Sequence, residues 1–530
     1  MAGSADDRRY AGLSPFELKD RLVELATECT RASARLLLDA GRANPDWLAL
    51  EAREAFVELA RFALEEARGR SLAPGLGGHP PAPGIAVRLA AATATRLPGA
   101  SLLREAIDYA ERELALEPDA FVHELALGAL GADYPAPPRM LAGVERIMRA
   151  YLERELGRGA GFAAPLRLFA TEGATAGICY LFQSLVANRL LERGARIAIG
   201  TPVFTPYLEI PRLEAYGLEE VRLAADAGAD WQYPDGEIDR LEDPGVHALF
   251  LVNPGNPTAV AIGARALERL ARLVRERRPD LIVITDDVYA PYAEGYRSLA
   301  AALPRNTVTV YSLSKYFGCT GWRLGLVALA EDNVLDQRLR RLPAAARDAL
   351  AARYASLCAD PAGLGFLDRM VADSRAVALN HTAGLSTPQQ VQMALFALHA
   401  LLGRGAAYRA AARGVVHERL AALHQGLGVP APAGALHTDY YATLDLLALA
   451  RGLHGEQFAA RLARARHPLD LVFDLAREYA TVVLPGAGFE APDWSVRVSL
   501  ANLPAAAYRE IGASLRALLA HYHTQGAARP

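Results

Sequence analysis

The sequence predicts an α/β protein: a large unit built on a mainly parallel sheet with helices on both faces, a smaller α+β unit, and a helical N-terminal extension. Three observations carry this. From about residue 165, short uniformly apolar runs recur, namely RLFAT, RIAIG, ALFLVN, LIVITDD, TVTVYSL and LGLVAL, mostly with helix-length segments such as Arg265 to Arg278 between them. Strands without polar alternation are buried on both faces, the situation that helical crossovers of a parallel sheet create. After about residue 345 the chain turns to Ala/Leu/Arg-rich helix and then offers two short strands, VVLPGAGF and SVRVSLAN. Ahead of the sheet, apolar residues recur at helical spacing.

The first 70 residues read as helix. SPFELKDRLVELATECTRASARLLLDAG spaces its apolar residues by three and four, opens on Ser14 and Pro15, and closes on Gly41. SLAPGLGGHPPAPG, residues 71–84, is too rich in glycine and proline for either regular structure and reads as a linker. Helix resumes, including SLLREAIDYAERELAL from Ser101. The expected units are 1–130, the helical extension with part of the small domain; 131–345, the large domain; and 346–530, the small domain with inserted helices.

Composition narrows the function classes. Of 530 residues, 52% are hydrophobic and 22% charged, as in a soluble globular protein. A net charge of −3 provides no basic footprint for nucleic acid or an anionic membrane. No run reaches the roughly 18 apolar residues of a membrane span, and MAGSADDRRY lacks the apolar core of a signal peptide. Cys29, Cys179, Cys319 and Cys358 lie far apart without a CxxC pair, which argues against a disulfide framework or zinc site and fits a reducing cytoplasm. The close pair His521 and His523 reads as solvated, so no metal is expected. A small-molecule partner is the expectation.

Residues able to carry chemistry follow the buried runs, and ligands of parallel sheets collect at the carboxyl ends of strands. NPGNPTA ends ALFLVN, DDVY ends LIVITDD, and YSLSK ends TVTVYSL. Singly, these read as a turn, a helix cap and a solvated lysine; their ordered occurrence at successive strand ends is what singles them out. A lysine desolvated at a strand end has a lowered pKa, and its neutral amine can condense with an aldehyde. Pyridoxal 5'-phosphate offers that aldehyde and requires an acid at its ring nitrogen, donors to its phenolic oxygen and a phosphate cradle. With Lys315 as the amine, Asp286 suits the ring nitrogen, Asn256 and Tyr289 the phenolic oxygen, and Arg323 with Ser312 the phosphate. The small-residue turn Gly173, Ala174, Thr175 opens a strong helix whose amino end suits the phosphate as well. Phe204 in GTPVFTPYLE is the aromatic candidate for covering the ring, or an ordinary core phenylalanine.

In this order, NPGNPTA, DDVY and SLSKYFGCTGWRLG resemble the fold-type I pyridoxal phosphate enzymes of the class I/II aminotransferase superfamily. Ala259 stands where the superfamily usually has glycine, which spares Asn256. The resemblance implies a fold-type I PLP-dependent transferase with a seven-stranded sheet in the large domain. It also implies that Arg497, in SVRVSLAN, grips the substrate α-carboxylate and that Tyr134, in DYPAPPRML, reaches the phosphate of a neighbouring subunit. A homo-oligomer built from dimers follows, of which a dodecamer is one assembly the resemblance admits. Extra length between Trp47 and Tyr134 and around residues 340–385, with the AGRANPDW segment, resembles the aspartate 4-decarboxylase family. That implies β-decarboxylation of L-aspartate to L-alanine and carbon dioxide with an aminotransferase side activity. Arg42 is then the candidate for the β-carboxylate; alone it reads as a surface arginine at a helix end. An aspartate or broad-specificity aminotransferase is the alternative, since it would use the same residues.

Overall fold

A computed structural model describes residues 7–527 except 11, 34, 95–96, 159–161, 163 and 376–383. Residues 376–383 of the expected insertion around 340–385 therefore lie outside the described residues. In chain order the strands are β1 (Leu38–Asp39), β2 (Leu166–Thr171), β3 (Arg196–Thr201), β4 (Glu219–Ala224), β5 (Val246–Val252), β6 (Ile282–Asp286), β7 (Thr307–Ser312), β8 (Gly325–Ala330), β9 (Tyr441–Asp445), β10 (Thr481–Val482), β11 (Leu484–Pro485) and β12 (Ser495–Ser499).

Seven of them form one sheet in the order β2-β8-β7-β6-β5-β3-β4. β4, β3, β5, β6 and β7 run parallel, while β8 is antiparallel to both β7 and β2. Alternate residues serve two cores: Ile197, Ile199, Phe250, Ile282 and Ile284 face one, and Ala198, Leu249, Leu251 and Val283 the other. Six strands coincide with the apolar runs. β4 does not, because EEVRLA is an edge strand with only Val221 and Leu223 turned inward, so its charged residues hid it. β9 was also unexpected; it completes the three-stranded sheet β11-β12-β9 of the smaller unit.

The expectation of continuous helix through residue 41 is corrected. Helices run over Pro15–Ala32 and Leu50–Gly69, and the chain between them is extended. Leu38 and Asp39 pair in parallel with Thr481 and Val482, and this tertiary pairing overrides the helical spacing of LLLDAG. The first helix joins the smaller unit, since Leu18, Leu22 and Leu25 share a core with Leu423, Val472, Val498 and Leu515. The other N-terminal helices share a core with Leu395 and Leu398 of the helix Thr387–Leu401. Core membership changes within one long helix, Gly405–Leu427: Ala412 and Val416 belong to the core of the N-terminal helices, Leu420 and Leu423 to that of the smaller unit. On either side of residue 345, Leu339 and Leu350 share a core with residues of the large sheet.

Candidate active site

The carboxyl ends of β5, β6 and β7 meet the small unit around a cavity of about 250 Å³. Sheet register assembles it. Ser312 pairs with Gly325 at the start of β8, and Gly325 pairs with Thr171 at the end of β2. Ser312, Arg323 and the turn at Gly173 therefore converge although 139 and 150 positions in the chain separate Gly173 from the other two. Gly173 has φ 97° and starts the helix Ala174–Ala187; a Cβ there would run into the Arg323 guanidinium. Arg323 itself sits at φ 56°, a conformation uncommon for a non-glycine residue, and it lines the cavity.

Lys315 donates from Nζ to the carbonyl oxygen of Ala43 at 3.0 Å. Burial lowers its pKa to about 8; Arg497 and Arg323 push the same way and Asp286 opposes them. Burial raises Asp286 to about 6. Two donors favour its ionised form, Tyr207 Oη to Oδ2 at 2.7 Å and the Val288 N–H to Oδ1 at 3.1 Å. Ser312 Oγ lies 2.9 Å from Ser314 Oγ and 3.1 Å from the Leu324 carbonyl, which can only accept its proton.

Arg497 is the least ordinary group. It is 1% exposed and has no carboxylate partner among the described residues. Nη1 donates to Asn256 Oδ1 at 3.2 Å and Nη2 to the Gly41 carbonyl at 2.9 Å, while Nε has no acceptor among the described residues. Tyr441 and Phe489 lie against it, 4.7 and 4.8 Å from ring centroid to guanidinium carbon. Burial lowers its pKa. Neutral acceptors and ring faces only partly replace the hydration of a buried cation, so this is a site prepared for an anion.

Of the expected site residues, Ala174, Thr175, Phe204, Asn256, Asp286, Tyr289, Ser312, Lys315, Arg323 and Arg497 all line the cavity, and Gly173 adjoins it through Arg323. Phe204 is edge-on to Phe16 and Tyr207, with centroids 5.4 and 5.2 Å away. Two residues are not brought in. Tyr134 is 69% exposed on a loop outside the cavity lining. Arg42 also lies outside it; its side chain is 62% exposed, and Asp39 takes its guanidinium at 3.2 Å. The segment around Arg42 contributes backbone instead, through the carbonyls of Gly41 and Ala43. Sequence reasoning missed Phe16, Tyr207, Ser314, Thr320 and Tyr441 in the lining. Tyr207, three residues after Phe204, and Tyr441, in the alternating HTDYYATLD, left only weak signals.

The sequence model described as aminotransferase class I and II matches residues 162–515, which span every one of these strand ends. The chain belongs to the class I and II aminotransferase family. This aminotransferase-family chain is 45% identical over 526 residues, 98% of both lengths, to a bifunctional aspartate aminotransferase and L-aspartate beta-decarboxylase of Pseudomonas sp. It is 32% identical over 146 residues, 27% of this chain and 36% of the other, to an aspartate aminotransferase of Pyrococcus abyssi. Among solved structures, a Thermus thermophilus aspartate aminotransferase mutant aligns with TM-score 0.60 and 18% identity, covering 98% of this chain and all of that one. An aspartate aminotransferase from Rhizobium meliloti aligns with TM-score 0.61 and 16% identity, covering 98% of each. These likenesses establish a fold-type I transferase fold.

The family is dependent on pyridoxal phosphate, and the cavity fits it. A buried carboxylate, a lysine of lowered pKa, an arginine beside a helix amino end and the side-chain nitrogen of Asn256, for which no acceptor lies among the described residues, are the donor set that the group requires.

Proposed function

We propose that this chain is a pyridoxal phosphate enzyme that removes the β-carboxyl of L-aspartate as carbon dioxide, yielding L-alanine, and also transaminates aspartate. The observation that carries the reading is the 45% identity running through 98% of both chains to a relative named for both activities. Shorter alignments to aminotransferases, such as 27% of this chain, support only the shared part of the chemistry.

Bound pyridoxal phosphate supplies an aldehyde for the substrate amine and a sink for electrons released at the substrate carbons. Around it, Asp286 would hold a proton on the ring nitrogen, Asn256 and Tyr289 would donate to the phenolic oxygen, and Ser312, Arg323 and the amides at Ala174 and Thr175 would hold the phosphate. Phe204 would cover the ring. Arg497 takes the α-carboxylate, fixing the orientation of the Cα–H bond. Lys315, whose pKa of about 8 leaves neutral amine available near neutrality, removes the α-proton and later returns protons to carbon. The partition between the two outcomes depends on water: admitted water releases a keto acid, while a dry site favours loss of the β-carboxyl. Phe16, Phe204 and Tyr441 are the walls that exclude it. Tyr134 is proposed to serve the phosphate site of a second subunit.

The deciding experiment supplies purified, cofactor-loaded protein with L-aspartate and no keto acid. Sustained, equimolar release of carbon dioxide and alanine over many turnovers is expected. Release that stops at one equivalent, with oxaloacetate forming only when a keto acid is added, would leave an aminotransferase.

A further inference from the structure

Tyr289 follows β6 of the large sheet, and Tyr441 begins β9 of the small one. Their hydroxyl oxygens are 2.7 Å apart and both residues are buried. Neither hydroxyl has another hydrogen-bond partner among the described residues, and both side chains line the cavity. Two hydroxyls in contact share one hydrogen bond, so one proton is left to point elsewhere. If Tyr441 donates to Tyr289, the Tyr289 proton is the one free for the cavity.

The neighbours favour that direction. β9 and β12 pair with Tyr441 opposite Ser499 and Thr443 opposite Arg497, which puts Tyr441 and Arg497 on one face of the small sheet. The Arg497 guanidinium carbon lies 4.7 Å from the Tyr441 ring centroid. A cation over a phenol ring draws electron density from it and makes its hydroxyl the better donor. The other titratable or charged groups facing the pair among the described residues are Tyr440, just before β9, and Asp286 from β6.

We propose that Tyr441 is a positioning residue: its hydroxyl donates to Tyr289 Oη, commits the Tyr289 proton to the cofactor's phenolic oxygen, and is strengthened in this by Arg497. Filling the carboxylate site at Arg497 is thereby felt at the hydroxyl of Tyr289. This deepens the proposed function and rests on its assignment of Tyr289 and Arg497.

The test is a pH titration of the bound cofactor's visible absorption in the wild type, Tyr289→Phe, Tyr441→Phe and the double variant. Losing a donor to a negatively charged oxygen makes it hold protons more tightly, so each substitution raises the midpoint. Tyr441→Phe is expected to raise it by ~0.5–1 pH unit, the worth of one hydrogen bond acting through another. In the Tyr289→Phe background its effect should fall below half of that, because the route is then gone. An unmoved midpoint in Tyr441→Phe, or a shift retained by half or more in the double variant, would overturn the coupling. Should Tyr441→Phe fail to hold the cofactor, Tyr441→3-fluorotyrosine, a stronger donor, is expected to lower the midpoint; no change or a rise would overturn it. Wild-type protein that binds the cofactor but does not decarboxylate aspartate would defeat the proposed function and leave the tyrosine pair intact. Normal decarboxylation with an unmoved midpoint would defeat the pair alone.

Discussion

Replacing Arg497 with methionine separates function from stability. The arginine is 1% exposed and has no acidic partner among the described residues, so the fold bears a desolvation cost of several kcal/mol for it. Against that stand two hydrogen bonds to neutral acceptors, about 1 kcal/mol each, and contacts with Tyr441 and Phe489 of about 0.5–2 kcal/mol each. These nearly cancel, and methionine fills much of the volume. The melting temperature should therefore stay within a few degrees of wild type. The substrate carboxylate, by contrast, loses its buried charged partner, a loss of about 3–5 kcal/mol, so kcat/KM for L-aspartate should fall by ~100-fold or more. Calorimetry and a continuous alanine assay read the two numbers. A melting temperature lowered by ~8 °C or more, or a kcat/KM loss below ~10-fold, would show that Arg497 is held for architecture and not for an anion.

Three further outcomes follow from the same geometry. The rate at which cofactor-free protein takes up pyridoxal phosphate needs neutral Lys315, whose pKa is lowered to about 8. Stopped-flow colour formation should climb nearly tenfold per pH unit up to about 8 and then level off, whereas a climb continuing toward pH 10 would mean an ordinary lysine. Tyr207→Phe removes the donor that favours ionised Asp286, so the Asp286 pKa should rise from about 6 and the acidic limb of the pH–rate profile should move up by ~0.5–1 unit; a downward or absent shift contradicts the assignment. Gly318→Ala meets two obstacles, a φ of 59° and the Trp47 carbonyl where the new Cβ would sit. It should cost ~2 kcal/mol or more in urea unfolding, and an unchanged midpoint would mean that residues 40–49 do not lie firmly against the Lys315 loop.

Much of the fold and site was legible in the sequence for a local reason. Buried parallel strands must be apolar along their whole length, and the residues that meet a ligand at their carboxyl ends come next in the chain, so Asn256, Asp286 and Lys315 were signposted by the runs they follow. β4 escaped because an edge strand needs only one apolar face. The helical spacing before Gly41 misled because pairing with β10 outweighed local propensity. What sequence could not decide was which distant groups share a dielectric environment. Arg42 stood in the right segment, yet Asp39 claims its side chain while the neighbouring carbonyls of Gly41 and Ala43 reach Arg497 and Lys315. Tyr207 reaches Asp286 across 79 positions, and Tyr289 meets Tyr441 across 152. The sequence by itself determined which residues stand at the strand ends that line the cavity, because burial imposes a pattern on neighbouring residues. Only the tertiary structure decided the partners that set charge and protonation, because Coulomb energy and hydrogen bonding depend on distance in space and leave no period along the chain.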